Sequence, residues 1–439
     1  MSPSGDRLLA RIPWGTVIIA ALIPLMGVIN LYSAAQISRP NLWLVQSAWL
    51  MVSMVGAAVV IRISTSTLEH LAIPSWVVVN VLLVAVLVAG TTVKGATRWL
   101  NLGFFNLQPS ELAKISTMLI TAYIFSRYRV PGGYTLRDLL RPWNITRPLG
   151  AIAFLLYRWN KQEKKLALAV EKGLEELPGV DPYWLQVTAV VVIVVWLLLC
   201  VAELKINGHH FLRWVAPVDP ILLSWGLVLI EPDLGTSLIV LSIAGVQILF
   251  AGVRRGSVAI ALAGVASIAV FGWQFLLKPY QKQRVLTFLN PEADAHGAGY
   301  HAMQSKIAVG SGGVFGKGFL EGTQTQLSFL PENHTDFAFS VLAEEWGFVG
   351  GVVLIALFVA LLGLLLHHLE SCTDAFAALV GVGACAMIFW HLLINISMVT
   401  GLMPVVGMTL PFVSYGGSSM VTQVLALALA LNAIAWRKA

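Results

Sequence analysis

The sequence predicts an all-α, polytopic integral membrane protein: a helical bundle that crosses the bilayer many times. Three observations carry that prediction. Of 439 residues, 57% are hydrophobic and only 11% are charged, whereas soluble domains carry about 25% charged residues. The mean hydropathy is +0.80. Apolar runs of roughly 18 residues or more recur along the chain, each long enough to cross the hydrocarbon core as a helix. Every backbone group must be satisfied inside lipid, and no series of short alternating segments is present, so helices are expected and a barrel is not.

The runs read as spans at Trp14–Ala34, Trp43–Ile61, Ile73–Val93, Ser110–Tyr128, Tyr183–Val201, Trp214–Ile230, Leu234–Ala251, Val258–Leu277, Phe337–Leu366, Ala375–Val399 and Val413–Trp436. The first follows MSPSGDRLLARIP without a small-residue cleavage site and reads as a retained helix, not a signal peptide. With the N-terminus inside, Arg7, Arg11, Arg62, Arg127, Arg129, Arg137, Arg141, Arg254, Arg255, Arg437 and Lys438 fall on the cytoplasmic side. The net charge of +6 therefore speaks for cytoplasmic loops and anionic lipid, not for nucleic acid. The same orientation puts Lys94, Arg98 and the polar segment 278–336 outside. Eleven spans cannot leave both termini inside. The conflict lies in 141–212, which holds a short apolar run (Leu149–Leu156), a charged stretch of helical spacing (NKQEKKLALAVEKGLEEL) and the span Tyr183–Val201. No linker divides the chain, so residues 1–439 read as one membrane domain.

Three cysteines (Cys200, Cys372 and Cys385) lie in or beside apolar runs at no metal-binding spacing, which argues against a disulfide framework or a zinc site. There is no Walker loop or His-rich metal box, which disfavours an ATP-driven pump.

Ionisable residues within spans are expensive and normally have a partner or a task. One cluster is GATRWLNLGFFNLQPSELAK, preceded by Lys94 and carrying Arg98, Glu111 and Lys114. Pro109 suits the first turn of a helix, with Glu111 at its positive end. Glu111 and Lys114 can pair on one face, either as a structural ion pair or as functional groups. Lys94 and Arg98 could hold a phosphate. A second cluster, IEPDLGT (230–236), reads first as a capped helix junction. The polar segment 278–336 contains DAHGAGYHAMQS, with Asp294, Gln304 and Ser305, a run of glycines, and FLPENHTDF with His334 and Asp336. Those glycines permit close approach to a ligand. Asp336 reads as a helix cap, and Asp294 as either a solvated or a catalytic carboxylate. Finally LPFVSYGGSSM, with Ser414 and Ser418, could form a phosphate- or sugar-binding turn or allow close helix packing.

Taken together these motifs resemble the SEDS family (shape, elongation, division and sporulation). The resemblance rests on GATRWLNLG, QPSELAK, EPDLGTS, NPEADAHGAGYHAMQS, GSGGVFGKG, FLPENHTDFAFSVLAEEWGFVG and GLMPVVGMTLPFVSYGGSS, which occur in family order. GTQTQLSFLP, VLAEE and MPVVG look more like the RodA branch than the division branch, FtsW. The resemblance implies about ten membrane helices with a large extracytoplasmic loop at 278–336. It also implies a multi-pass protein of the bacterial inner membrane with both termini cytoplasmic. Residues 141–212 exceed the family pattern and carry an additional apolar span.

The implied activity is a peptidoglycan glycosyltransferase that polymerises lipid II during cell elongation; a lipid II flippase, or a scaffold for a penicillin-binding protein, is the alternative. The implied partners are a class B penicillin-binding protein and the elongation machinery, within the membrane lipid. By motif the essential acidic residue falls on Asp294. Glu111 and Lys114 match sensitive positions, and Lys94, Arg98, Gln304, Ser305, His334, Ser414 and Ser418 join them as substrate-binding candidates. The chain has Ala295 where the family commonly has Pro and Asn290 where it often has Asp; Asn290 cannot serve as the essential carboxylate, which favours Asp294. An inverting transfer needs one general base, assigned to Asp294, and cations for the departing pyrophosphate. No cofactor is certain; a divalent cation (Mg or Mn) could share that work, although the sequence contains no dedicated carboxylate cage.

Overall fold

A computed structural model describes residues 10–93, 96–101, 103, 106–140, 182–206, 216–231, 233–275, 279–290, 298–327, 329–330 and 332–436. In chain order come α1 (Trp14–Ala35), α2 (Leu42–Arg62) and α3 (Thr65–Ala89). A small sheet follows, of β1 (Thr91–Val93), β2 (Ala96–Asn101) and β3 (Asn106–Leu107). Then come α4 (Pro109–Arg127), α5 (Leu136–Leu140), α6 (Pro182–Ile206), α7 (Asp219–Ile230), α8 (Leu234–Gly252) and α9 (Arg255–Phe275). The remainder is α10 (Pro279–Leu289), α11 (Ala298–Ser311), α12 (Thr323–Gln326), α13 (Ala338–Glu370), α14 (Ala375–Val399) and α15 (Gly417–Ala435). Among the described residues seven helices are long and apolar enough to cross a membrane: α1, α2, α3, α8, α13, α14 and α15. The chain is thus a polytopic helical membrane protein.

The expected spans and the helices agree closely, with instructive exceptions. The span placed at Ile73–Val93 is a helix from Thr65 to Ala89. Ser64 starts it early, because its Oγ accepts from the Thr67 amide at 3.1 Å and satisfies one of the orphan donors of the first turn. Replacing Ser64 with Ala is expected to cost about 1 kcal/mol, read as a small fall in the thermal unfolding midpoint in detergent. At the other end, Thr91–Val93 leaves the helix to pair with β2, with Thr91 opposite Trp99 and Val93 opposite Ala96. Leu100 and Asn101 pair with β3. This short antiparallel ribbon is the one sheet among the described residues of an otherwise helical chain. Within the described part of the span placed at Trp214–Ile230, which begins at residue 216, the helix starts at Asp219, whose carboxylate accepts from the Ala216 amide at 2.8 Å. Leu149–Leu156 and the charged stretch after it lie outside the described residues.

Packing is graded from centre to rim. Fifteen of the 19 residues of α4 are buried, and α14 is buried over most of its length. By contrast α2 buries only Leu42, Gln46 and Ser53, while Met51, Val52, Val55 and Val59 are exposed. Lipid tails are as apolar as these side chains, so burying them gains little. The inward positions go instead to polar groups that bond across helices. Gln46 donates from Nε2 to the Ser414 carbonyl at 3.0 Å and accepts from the Gly416 amide at 3.3 Å. Asn30 of α1 donates to the Ala338 carbonyl at 2.9 Å.

Asp336 does not cap α13, contrary to expectation. Phe337 occupies the cap position, and its side chain makes no capping hydrogen bond. The Asp336 carbonyl accepts instead from Asn395 Nδ2 at 2.9 Å. Further along, α13 is broken at Gly347 (φ 67°, ψ −164°), and the glycine run of residues 310–318 lies against the break. Lys317 and Gly318 donate their amides to the Glu344 and Glu345 carbonyls at 3.0 and 3.1 Å. Gly313 and Val314 accept from the Phe348 and Val349 amides at 2.9 and 3.0 Å. The groups freed by the break are thereby satisfied within the protein, as a membrane environment requires.

Candidate active site

α4 begins where the sheet ends, and Pro109 stands in its first turn, where a missing N–H costs nothing. Glu111 shares that turn, at the positive end of the helix. Lys114 is wholly buried and donates from Nζ to Glu111 Oε1 at 2.8 Å. Its second partner comes from α14, where His391 Nε2 lies 3.1 Å from Lys114 Nζ. His391 Nδ1 lies 3.3 Å from the Thr409 carbonyl. A carbonyl can only accept, so Nδ1 carries the proton and Nε2 accepts from the ammonium. The result is a directed chain from Lys114 through His391 to the backbone after α14.

One residue earlier on α4, Ser110 begins a second polar set. Asp233, in the junction between α7 and α8, caps α8 by accepting from the Thr236 amide at 3.2 Å. It also accepts from Gln108 Nε2 at 3.3 Å and Ser110 Oγ at 3.4 Å. Arg98 of β2 places Nη1 3.8 Å from Asp233 Oδ1, and its side chain is one-third exposed. The ribbon is what brings Arg98 there. Beside Asp233, Glu231 is 1% exposed, and neither of its carboxyl oxygens has a hydrogen-bond partner among the described residues. Burial first, and the Asp233 carboxylate second, push its pKa up to about 9; Arg98 opposes the shift.

A third set gathers at the start of α15. Ser414 is buried, its Oγ accepting from the Leu410 amide at 2.9 Å. The Tyr415 amide donates to the His334 carbonyl at 2.8 Å, and the two rings lie 6.1 Å apart. The half-buried Ser418 accepts through its carbonyl from Thr422 Oγ1 at 2.8 Å. Gly417 packs so tightly on the Trp49 ring that a Cβ there would sit 2.5 Å from Cε2. On α11, Gln304 is half-buried. Ser305 is fully buried, donating to the Val399 carbonyl at 2.8 Å, with Ser340 Oγ 2.9 Å away.

Of the residues expected from sequence, Arg98, Glu111 and Lys114 therefore gather around the first turn of α4, and His334, Ser414 and Ser418 around the start of α15. Ser305 and Ser414 turn their hydroxyls into the interior. Asp294 and Lys94 lie outside the described residues. Sequence reasoning missed His391, although a lone ionisable residue in the apolar run MIFWHLLINISMV is a signal in its own right. IEPDLGT, read first as a capped helix junction, is one, with Asp233 as the cap; Asp233 is also the counter-ion of Arg98. Among the described residues no group of three or more His, Cys, Asp or Glu side chains could hold a metal.

Comparison with known proteins places this architecture. The FtsW/RodA/SpoVE family model, described as a cell cycle protein, matches residues 12–157 and 186–438. The peptidoglycan glycosyltransferase MrdB of Escherichia coli K12 is 34% identical over 364 residues, covering 83% of this chain and 77% of the relative. The solved structure of a peptidoglycan synthase complex that coordinates polymerization and crosslinking superposes with a TM-score of 0.67 at 29% identity, covering 96% of this chain and 97% of that one. The crystal structure of the rod shape determining protein RodA of Thermus thermophilus gives a TM-score of 0.59 at 26% identity, covering 98% of both chains.

Proposed function

The chain belongs to the SEDS family of FtsW, RodA and SpoVE and is a RodA-like peptidoglycan glycosyltransferase, and on that premise we propose that it polymerises lipid II into glycan strands during cell elongation. One observation supports the location of the chemistry: Arg98, Asp233, Glu111, Lys114 and His391 converge about the first turns of α4, at one end of an otherwise apolar bundle. We assign that end to the extracytoplasmic face of the inner membrane, with both termini cytoplasmic and the segment 278–336 as the outer loop.

The chemistry follows from the bond that changes. The C4 hydroxyl of an acceptor sugar attacks C1 of a lipid-linked sugar, and undecaprenyl pyrophosphate leaves from the opposite face. An α-linked donor and a β-linked product require one inversion, hence one displacement and one base. Asp294 takes the hydroxyl proton. Arg98, partly exposed beside Asp233, neutralises charge that grows on the departing phosphate; Lys94 is assigned to the same task. Among the described residues no group of three or more His, Cys, Asp or Glu side chains stands ready for a divalent cation; Mg or Mn held elsewhere in the site would share the neutralisation of the departing pyrophosphate. Lys114 holds the first turns of α4 against α14. Gln304, His334 and Ser418 are assigned to the sugar and peptide portions of the substrate, and the partner is a class B penicillin-binding protein that cross-links the product.

The test is Asp294→Asn in the purified chain with its transpeptidase partner. Loss of a general base is expected to slow glycan polymerisation from lipid II by about 10²–10⁴-fold without shifting the unfolding midpoint. Full-rate polymerisation by that variant would remove Asp294 from the mechanism.

A further inference from the structure

We infer that Glu231 acts in the transfer reaction as a neutral carboxyl, a positioning residue that keeps the Arg98 guanidinium available to the departing phosphate. This rests on the transferase reading above and adds the charge state of its phosphate end.

Two carboxyls stand two residues apart in the junction between α7 and α8, and both are buried. Asp233 receives the Thr236 amide, Gln108 Nε2, Ser110 Oγ and, at 3.8 Å, the Arg98 guanidinium. Glu231 receives no hydrogen bond on either oxygen among the described residues. A carboxylate that is removed from water and given no donor is strongly disfavoured, and it keeps its proton instead. Two carboxyls whose surroundings differ this much divide their states, one ionised and one neutral. The raised pKa of Glu231 agrees with that division.

The other titratable groups of the packed elements leave the division unchanged. On α4, Glu111 and Lys114 pair with one another. On α14, His391 bonds Lys114. On α7, Asp219 stands at the opposite end of the helix. On α3, Glu69 pairs with Arg127 at the far end of α4.

The consequence is electrostatic. With Glu231 neutral, Arg98, Asp233 and Glu231 sum to zero charge, and an incoming pyrophosphate can draw the guanidinium toward itself. With Glu231 ionised the set would be net negative and would repel the anion it has to receive.

The experiment compares wild-type protein and Glu231→Gln, each full-length with the transpeptidase partner, in lipid II polymerisation from about pH 6 to about pH 10. Gln is isosteric with the protonated acid. Glu231→Gln is expected to keep kcat within about threefold of wild type near neutral pH. Above about pH 9 the wild-type KM is expected to rise by up to tenfold per pH unit, while the KM of Glu231→Gln stays level relative to it. Unfolding midpoints give a second readout independent of turnover. The folded-state pKa lies above the ordinary value of 4.5, so the native chain holds a proton that the unfolded chain releases, and stability falls as pH rises between the two values. Glu231→Gln removes that slope and is expected to melt above wild type at pH about 8.

Two results would overturn the inference. One is a folded Glu231→Gln variant that has lost most of its turnover at neutral pH. The other is an alkaline KM limb shared by both proteins. A wild-type preparation that polymerises nothing would overturn the parent reading with it, whereas active proteins with coincident limbs overturn the inference alone.

Discussion

Lys114→Met is expected to abolish polymerisation and to lower stability by about 3–5 kcal/mol, the range seen when one partner of a buried ion pair is removed. The size follows from where the ammonium sits. Lys114 is wholly buried, and its Nζ lies 2.8 Å from Glu111 Oε1 and 3.1 Å from His391 Nε2. Removing it leaves a buried carboxylate without its cation and an imidazole acceptor without its donor, both of which are expensive. The double variant Glu111→Gln/Lys114→Met removes the stranded charge. It is expected to recover at least half of the lost stability while polymerisation stays absent, because α4 and α14 are no longer joined at the site. Thermal unfolding in detergent and gel-resolved glycan products measure the two quantities separately. Recovery of activity together with stability would show that the pair only supports the fold.

The same three residues show what could be read from sequence and what could not. The pairing of Glu111 with Lys114 is a local matter of helical spacing, three residues apart on one face, and the structure contains it. Pro109 in the first turn is equally local. His391 is 277 positions from Lys114, and only the packing of α14 on α4 brings them together. Arg98 reaches Asp233 because a short ribbon forms where an extension of α3 was expected. Its Thr and Val residues suit helix and strand alike, and tertiary pairing decides between them. The spans themselves were legible because a membrane makes length and apolarity sufficient. The early start of α3 was missed because Glu69 and His70 look like a boundary until the Ser64 cap is recognised.

The glycine run of residues 310–318 gives the second large effect, and its physical basis differs from the expected one. Those glycines suggested room for a ligand, yet Gly312 and Gly316 are needed so that the run can lie on the backbone of α13. Gly316 has φ 84°, and a Cβ there would overlap the Glu345 carbonyl. Gly347, across the contact, has φ 67° and would meet Gly316 in the same way. Beneath them Glu344 is fully buried and holds Lys317 Nζ at 2.8 Å, the Gln324 amide at 2.9 Å and Thr325 Oγ1 at 3.2 Å. Pushing the run outward therefore breaks four backbone bonds across the helix break and strips a buried carboxylate of its donors. Gly316→Ala is expected to cost about 4 kcal/mol or more, a range reached only when such terms combine. At roughly 2–4 °C per kcal/mol the unfolding midpoint should fall by about 10 °C, with folded material lost on size-exclusion chromatography. Gly310→Ala is the matched control: it lies in α11 with nothing within 4 Å of a built Cβ, and Ala is the better helix former. It is expected to melt at or slightly above wild type. Equal midpoints for Gly316→Ala and Gly310→Ala would mean that the run does not clamp the broken helix.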